Sequence, residues 1–272
     1  MRVNIHWSRL ACLTLVLGAT LAGGCGGNEE AEQAAAAEQA RAEEIQALEQ
    51  RKEELDAQRQ RLAELRDMQA QGEPAEGEAT EASMTGEEVD AEIAQLEQQI
   101  EQEAEALYND VVTFFNAEPP LEGEPLTDVQ ERAIAIKSDE DIRLAEEYVV
   151  EGGNYERAIQ IYRDALVLDP DNARLQELMA QAEGARYMSE ERFSQVEKGM
   201  TTDQVRSVLG TALPVNRREY EQEGRTVTAW FYPKSPAKDA AAVYFRPQGG
   251  SLEVYLTDFD AVEPKGAGEE EE

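Results

Sequence analysis

Histidine and cysteine are almost missing from this sequence of 272 residues, and the few that occur lie at its start. His6 and Cys12 fall within the first 24 residues and Cys25 follows, so residues 26–272 contain neither amino acid. That region cannot assemble a Ser/His/Asp triad, a Cys/His dyad, a His/Cys metal site or an internal disulfide. Motifs for a calcium loop, a P-loop and a dinucleotide-binding turn are missing as well. The many carboxylates mean that composition alone does not exclude a hydrolase that uses two acidic groups. The missing residues and motifs nevertheless favour a protein that is not an enzyme, with no catalytic, cofactor or metal-binding residues.

Basic residues are also scarce, and they are unevenly spread. The formal net charge is −33, and no Lys or Arg occurs between Asp67 and Glu131. Residues 28–118 hold 26 acidic and six basic side chains, whereas residues 192–250 hold six acidic and nine basic ones. Because phosphate binding needs positive charge, we expect no nucleic-acid partner. The contrast between the two regions predicts separate modules.

The first 25 residues have the layout of an exported leader. Arg2 and Arg9 precede a short apolar run at 10–17, which is too short to cross a bilayer. Small residues then lead to Cys25, and this segment resembles the lipobox of bacterial lipoproteins, with Ala22 where that family usually has Leu. The resemblance implies that residues 1–24 are removed and that Cys25 carries diacylglycerol and a further acyl chain such as palmitate. Gly26, rather than Asp, implies an outer-membrane location facing the periplasm, with the leaflet left open; the alternative is an ordinary cleaved signal.

Two long helices are predicted after the leader, at 25–70 (a helical stalk) and 87–117, joined by an acidic linker at 71–86 rich in Gly and Pro. Leu48, Leu55 and Leu62 repeat every seven residues, as in a weak coiled coil. The first helix carries basic residues, whereas the charged residues of the second helix are all acidic. This complementarity favours an antiparallel coiled-coil hairpin within one chain. An intermolecular coil and a solvated stalk remain as alternatives, and the oligomeric state is open.

Residues 126–187 are predicted to form a helical region that contains one repeat motif. A first helix is expected at 128–137, and a last one at 172–187. Between them, residues 152–172 resemble a tetratricopeptide repeat, with Glu146 where that family prefers Gly. The signature residues are Gly153, Tyr155, Ala158, Tyr162, Ala165 and Pro170. The resemblance implies an antiparallel helical hairpin in which small Ala residues allow close approach; with a single repeat, whether it binds peptide stays open.

Residues 190–260 combine a short helix with a predicted sheet of three to four antiparallel strands. Thr201 and Gln204 form a capping box and Gly210 ends the helix; strands are predicted at 225–232, 241–246 and 252–259. The pattern resembles the SmpA/OmlA family of BamE-like outer-membrane lipoproteins. The residues that carry it are Gly199, Met200, Thr201, Gln204, Val205, Leu209, Gly210, Trp230 and Tyr232. That family implies a small α/β module that binds partners and anionic lipid, and we expect Trp230 and Tyr232 in its core.

Five cations in the last module are a candidate patch for lipid phosphates or an acidic partner: Arg217, Arg218, Arg225, Lys234 and Lys238. An acidic tail at 261–272 is predicted to be disordered. Together these features predict an α+β multi-module scaffold that is anchored in membrane lipid through Cys25 and binds envelope proteins, in outer-membrane or β-barrel assembly. One alternative is a coordinator of envelope constriction or peptidoglycan synthesis, which coiled coil plus tetratricopeptide helices also resemble. Another is a protein inhibitor that uses the sheet.

Overall fold

The computed structural model describes residues 27–71, 85–121, 124–222, 224–237 and 239–262. The described helices are α1 (Gly27–Gln71), α2 (Gly86–Ala117), α3 (Asp128–Val150), α4 (Tyr155–Leu168), α5 (Ala173–Ala185), α6 (Glu190–Phe193) and α7 (Thr202–Leu209). A 3-10 turn at Pro214–Asn216 precedes strands β1 (Arg217–Gln222), β2 (Arg225–Pro233), β3 (Asp239–Gln248) and β4 (Ser251–Val262). The predicted mixed α+β class, with a long N-terminal helix and a C-terminal antiparallel sheet, is confirmed. The predicted leader with Cys25, most of the linker and nearly all of the tail lie outside the described residues.

The chain divides into two compact units, Met1–Glu43 and Glu44–Glu272. In the first unit the described residues are the opening part of α1, which is rich in Ala, Glu and Gln and therefore forms helix readily. Side chains 31–40 are exposed, and Gln39 Nε2 donates to Glu43 Oε1 at 2.9 Å. This stretch holds no buried apolar stripe among its described side chains.

In the second unit α1 continues from Glu44 and packs against α2 and α3. The shared apolar residues form two clusters: Ile45, Leu48, Leu55, Leu107, Val111, Phe114, Ala133 and Ile136, and then Leu62, Leu65, Val89 and Ile93. Arg51 Nη1 lies 2.5 Å from Asp110, and Gln69 Nε2 donates to Asp90 at 2.6 Å. Because the first contact joins early α1 to late α2 and the second joins late α1 to early α2, the two helices run antiparallel.

Helix α3 is longer than the helix predicted at 128–137, because it continues without a break to Val150. Thr127 and Gln130 form a capping box at its start, and no Gly or Pro interrupts it. Its polar centre is accommodated by pairing: Ser138 Oγ donates to Asp169, and Lys137 pairs with Asp141. One helix thus serves both the α1 contact and the repeat-like helices that follow.

Helices α3, α4 and α5, here called the helical region, share one apolar core. Its buried members are Ile142, Ala145, Ala158, Ile159, Ile161, Tyr162, Ala165, Leu175 and Ala182. Asn154 and Asn172 cap α4 and α5, each accepting a backbone N–H at 3.1 Å. These caps satisfy amide groups that have no partner within their own helix.

Residues 190–262, here called the sheet module, carry a four-stranded antiparallel sheet in the order β1-β2-β3-β4. Trp230 pairs with Arg217 on one side and Val243 on the other. Its face of the sheet packs against α6 and α7 through Phe193, Val205 and Leu209. Strand β1 was not among the three strands placed by sequence, because its segment RREYEQ has no alternation of apolar residues.

Candidate functional site

The helical region meets the sheet module at the turn between α3 and α4. Gly153 has φ +62°, and a Cβ placed there would lie 2.0 Å from the carbonyl oxygen of Thr211. The Thr211 hydroxyl also donates to the carbonyl of Val150 at 2.6 Å. Gly153 is therefore needed both for its left-handed backbone and for the close approach of the loop after α7.

The other repeat-signature residues divide between a core and a surface. Ala158, Tyr162 and Ala165 are buried between α3, α4 and α5, whereas Pro170 is exposed after α4. The Tyr155 hydroxyl lies 3.1 Å from the position that a Cβ on Gly210 would occupy. Tyr155 therefore contacts the sheet module instead of filling only the helical core.

The Gly199–Gly210 segment packs against the edge of β4. Gly199, with φ +88°, donates its N–H to the carbonyl of Val254 at 2.8 Å, and Val254 donates back to the Met200 carbonyl at 2.9 Å. Thr201 and Gln204 form the predicted capping box of α7, and Gly210 ends that helix with φ +79°. Met200, Val205 and Leu209 pack toward the core under the sheet.

Trp230 and Tyr232 are each 5% exposed, so their predicted core position is confirmed. Arg206 and Arg217 lie over the Trp230 ring, at 5.7 and 5.4 Å from its centroid. The Tyr232 hydroxyl donates to the Gly210 carbonyl at 3.2 Å. Burial raises its pKa far above the usual value, while Arg217, Arg192 and Arg206 act electrostatically in the opposite direction. Three guanidinium groups thus contribute positive potential at the Tyr232 hydroxyl, and positive potential favours the binding of anions.

We call Arg192, Arg206 and Arg217 the arginine cluster. Arg192 Nε donates to the Val208 carbonyl at 3.1 Å, and Arg217 holds the Ala212 carbonyl through Nε and Nη2 at 2.9 and 2.7 Å. Arg206 forms a salt bridge with the exposed Asp203 at 2.9 Å. The cluster is therefore positioned by backbone contacts, with Arg206 as its most exposed member.

The structure describes four of the five cations predicted as a patch, and they lie on β1, on β2 and directly after β2. Arg217 and Arg218 open β1, where Arg218 Nη1 donates to the carbonyls of Val215 and Arg217. Arg225 lies five residues along β2 from the partner of Arg217, at the hairpin turn. Lys234 is paired with Asp260 at 2.8 Å and lies 4.3 Å from the Phe259 ring centroid. Lys238 lies outside the described residues.

Sequence reasoning missed Arg192 and Arg206. They stand 14 residues apart on α6 and α7, and the packing of both helices on one sheet face brings Arg206 to Trp230 and Arg192 to the Val208 carbonyl near Tyr232. The sequence feature that could have identified Arg206 is its place beside Val205 on the predicted helix, because this places Arg206 at the edge of the buried face of α7.

A cleft of about 250 Å³ opens where the two parts meet. Its apolar walls come from both, and the lining includes Tyr155, Tyr187, Met188, Leu213, Phe231 and Tyr232. Its polar groups include Asn154, Glu156 and Arg186. The guanidinium of Arg186 lies 4.6 Å from the Tyr187 ring centroid.

The described residues contain no helix that is both long and apolar enough to cross a bilayer. In the same ranges, no group of three or more His, Cys, Asp or Glu side chains is arranged to hold a metal ion. No protein-family model, curated protein or solved structure matches the chain.

Proposed function

We propose that this chain is a non-catalytic scaffold, anchored in the outer membrane through acylated Cys25 and binding other envelope proteins from the periplasmic side. Its process is outer-membrane or β-barrel assembly, as the resemblance of residues 190–260 to SmpA/OmlA lipoproteins implies. In this proposal α1 and α2 form a coiled-coil hairpin, and the helices around residues 152–172 act as a tetratricopeptide-like packing unit.

The observation that carries the proposal is the arginine cluster beside Trp230. The chain as a whole is strongly acidic, yet these three cations converge on one aromatic pair in the module with the positive balance. Arg206 is exposed while it lies over this buried ring, and arginine is enriched at protein interfaces. It supports binding of an acidic partner surface or an anionic headgroup.

The test is capture of partners from detergent-solubilised envelopes, with the intact chain as bait and identification by mass spectrometry. We expect β-barrel-assembly components, and we expect Arg206→Glu to reduce their recovery several-fold because it reverses the most exposed cation of the cluster. Arg163→Glu is the matched control, since Arg163 is exposed on α4, away from the cluster. Recovery of unrelated proteins, or equal loss with both variants, contradicts the proposal.

The anchor is tested separately by mass spectrometry of the chain purified from membranes. We expect an N-terminal Cys25 with diacylglycerol and a third acyl chain, and loss of membrane association in Cys25→Ser. A bare thiol terminus, or protein recovered in the aqueous phase, contradicts this part of the proposal.

The second candidate is a coordinator of envelope constriction or peptidoglycan synthesis, favoured by long helices packed beside repeat-like ones. That function predicts association of the coils between copies. Light scattering of the lipid-free chain distinguishes the two: a monomer counts against the coordinator, and a trimer counts against the intrachain hairpin. Capture of division or cell-wall factors in the first experiment also favours the coordinator.

A further inference from the structure

We propose that the cleft between the helical region and the sheet module binds an acidic side chain of a partner peptide together with the apolar residue next to it. This inference rests on the proposed function, because it assumes a protein partner, and it names the site at which such a partner is held.

Arg186 lines the cleft without a described anionic partner. Its Nε is buried and has no hydrogen-bond partner within the described residues. No described carboxylate forms a salt bridge with it, and its guanidinium is instead stacked on Tyr187. Because Arg186 lines the cleft and is only partly buried, its guanidinium can form a charged hydrogen bond with a carboxylate that enters there.

The electrostatic potential in the cleft favours negative charge. Tyr232 lines the cleft, and the three residues of the arginine cluster act on its hydroxyl. The first turn of α4 borders the cleft as well, and the N-terminus of a helix favours negative charge. Glu156 is the one acidic residue among the described lining residues, and it is exposed. The cleft therefore favours an anion although the chain carries a net charge of −33.

The size and the apolar walls of the cleft fit a short peptide segment. Pockets for drug-sized ligands are typically about 300–1,000 Å³, and this cleft of about 250 Å³ accommodates one or two side chains. Its walls are aromatic and aliphatic, so an anion alone would leave Met188, Leu213 and Phe231 without a partner. The acyl chains of a phospholipid exceed this volume. A short peptide segment with one carboxylate and one aromatic or aliphatic side chain satisfies both the charge and the apolar walls.

The test uses the full chain in detergent with ¹³C-methyl-labelled methionine. The sequence contains six methionines; Met188 lines the cleft, whereas Met68 is exposed on α1 and serves as an internal reference. The probes are N-acetyl-glutamyl-phenylalanine amide, its glutaminyl analogue and its glutamyl-alanine analogue, with inorganic phosphate and a short-chain phosphatidylglycerol as the other anions.

We expect a saturable shift of the Met188 methyl signal with the glutamyl-phenylalanine probe, and at least about tenfold weaker binding of the glutaminyl probe because the charged hydrogen bond is lost. Arg186→Gln should weaken the first probe by a similar factor. Arg174→Gln is the matched control, because Arg174 is exposed at the other end of α5. A Met68 signal that does not move with the probes shows that the response is confined to the cleft.

Three results overturn the proposal: an unmoved Met188 signal, equal binding of the glutamyl and glutaminyl probes, or a Met188 shift with phosphate or lipid but not with the peptides. The comparison of the two peptides needs no variant, so it stands even if Arg186→Gln fails to fold. If partners are captured from envelopes while Met188 does not respond, only this site is rejected and the scaffold function is retained.

Discussion

The contact between α1 and α3 and the core under the sheet bury different kinds of groups. On the α1–α3 side, Arg59 donates to both carboxylate oxygens of Glu140 at 2.8 and 2.6 Å, and Arg132 holds Glu49 in the same two-pronged way at 2.8 and 2.5 Å. Lys52 bridges Asp56 and Asp139, at 2.8 and 3.1 Å. These pairs lie beside a narrow apolar seam.

The core under the sheet is built almost entirely from apolar side chains. Trp230 and Phe245 lie with ring centroids 4.7 Å apart, and Phe193 packs against Phe259 at 5.5 Å. Val205, Val243 and Phe245 have no exposed surface. Ionic contacts weaken with salt and acid, whereas apolar burial is nearly insensitive to both. We therefore expect salt and acid to weaken the contact between α1 and α3 and to leave the core under the sheet nearly unchanged. Four variants test this.

The largest effect is expected for Phe245→Ala. Removal of a fully buried aromatic ring costs about 3–5 kcal/mol, because the transfer energy is lost and a cavity remains. Urea unfolding followed by Trp230 emission measures it, because Trp7, the other tryptophan, lies in the leader that the proposal removes. Leu256→Ala is the control; Leu256 is 44% exposed on β4, so a loss below about 1 kcal/mol is expected. Equal losses would show that the sheet core is not the stabilising element.

Gly153→Ala should come next, with a loss of about 2–4 kcal/mol. The new Cβ meets the Thr211 backbone at 2.0 Å, and the residue keeps a left-handed φ. Gly184→Ala, at a helical position with no atom within 4 Å of the new Cβ, should instead stabilise α5 by about 0.5–1 kcal/mol. Thermal melts of both variants check the opposite signs, and a neutral Gly153→Ala contradicts the close approach.

Glu140→Gln should weaken the α1–α3 joint by about 2 kcal/mol, because the half-buried Arg59 loses a charged bidentate partner. Hydrogen exchange of α1 and α3 amides from residue 44 onward measures it, and the loss should shrink at high salt. The control is Glu97→Gln, whose exposed pair with Arg66 at 2.9 Å contributes at most about 0.5 kcal/mol. If both variants behave alike, burial does not distinguish the pairs.

The smallest effect is expected for Glu49→Gln, below about 1 kcal/mol at neutral pH. The hydrogen bond from Arg132 lowers the pKa of the Glu49 carboxyl, against the opposing effect of burial. Because a lowered folded-state pKa stabilises the fold above the ordinary carboxyl range, this contribution is lost as the pH falls through the folded-state pKa.

The difference between Glu49→Gln and the unmodified chain should therefore vanish in acid, in hydrogen-exchange measurements of α1 and α3 over a pH series. Glu53→Gln, exposed on the same helix, should show no such trend. A difference that persists in acid contradicts the assignment.

The sequence predicted elements best where one local pattern sufficed. The capping box at Thr201, the stop at Gly210 and the strand around Trp230 each follow from a few adjacent residues, and all three are present. The sequence did not predict an unbroken α3 because the residues near its centre are polar. In the structure Lys137 pairs with Asp141, and Ser138 is buried. Their partners lie on the same helix or 31 residues away, and only the packed structure shows them.

The candidate site depended even more on tertiary structure. Arg217 is one of the five predicted cations, and the structure adds Arg206, which lies over the same Trp230 ring, and Arg192, which acts with both on the Tyr232 hydroxyl. The cleft joins residues of the α3–α4 turn to residues about 80 positions later on β2. No spacing rule connects such segments, because their meeting depends on the contact of Gly153 with Thr211.

The uninterrupted α3 has a mechanical consequence. Charged side chains of α1 form hydrogen bonds with its first half, and its second half forms part of the core shared with α4 and α5. Because α3 is one continuous helix, the region packed on α1 and the core shared with α4 and α5 cannot rotate independently of each other. A force applied to the part of α1 that follows Glu44 is therefore transmitted along α3 to the turn at Gly153, where the cleft opens.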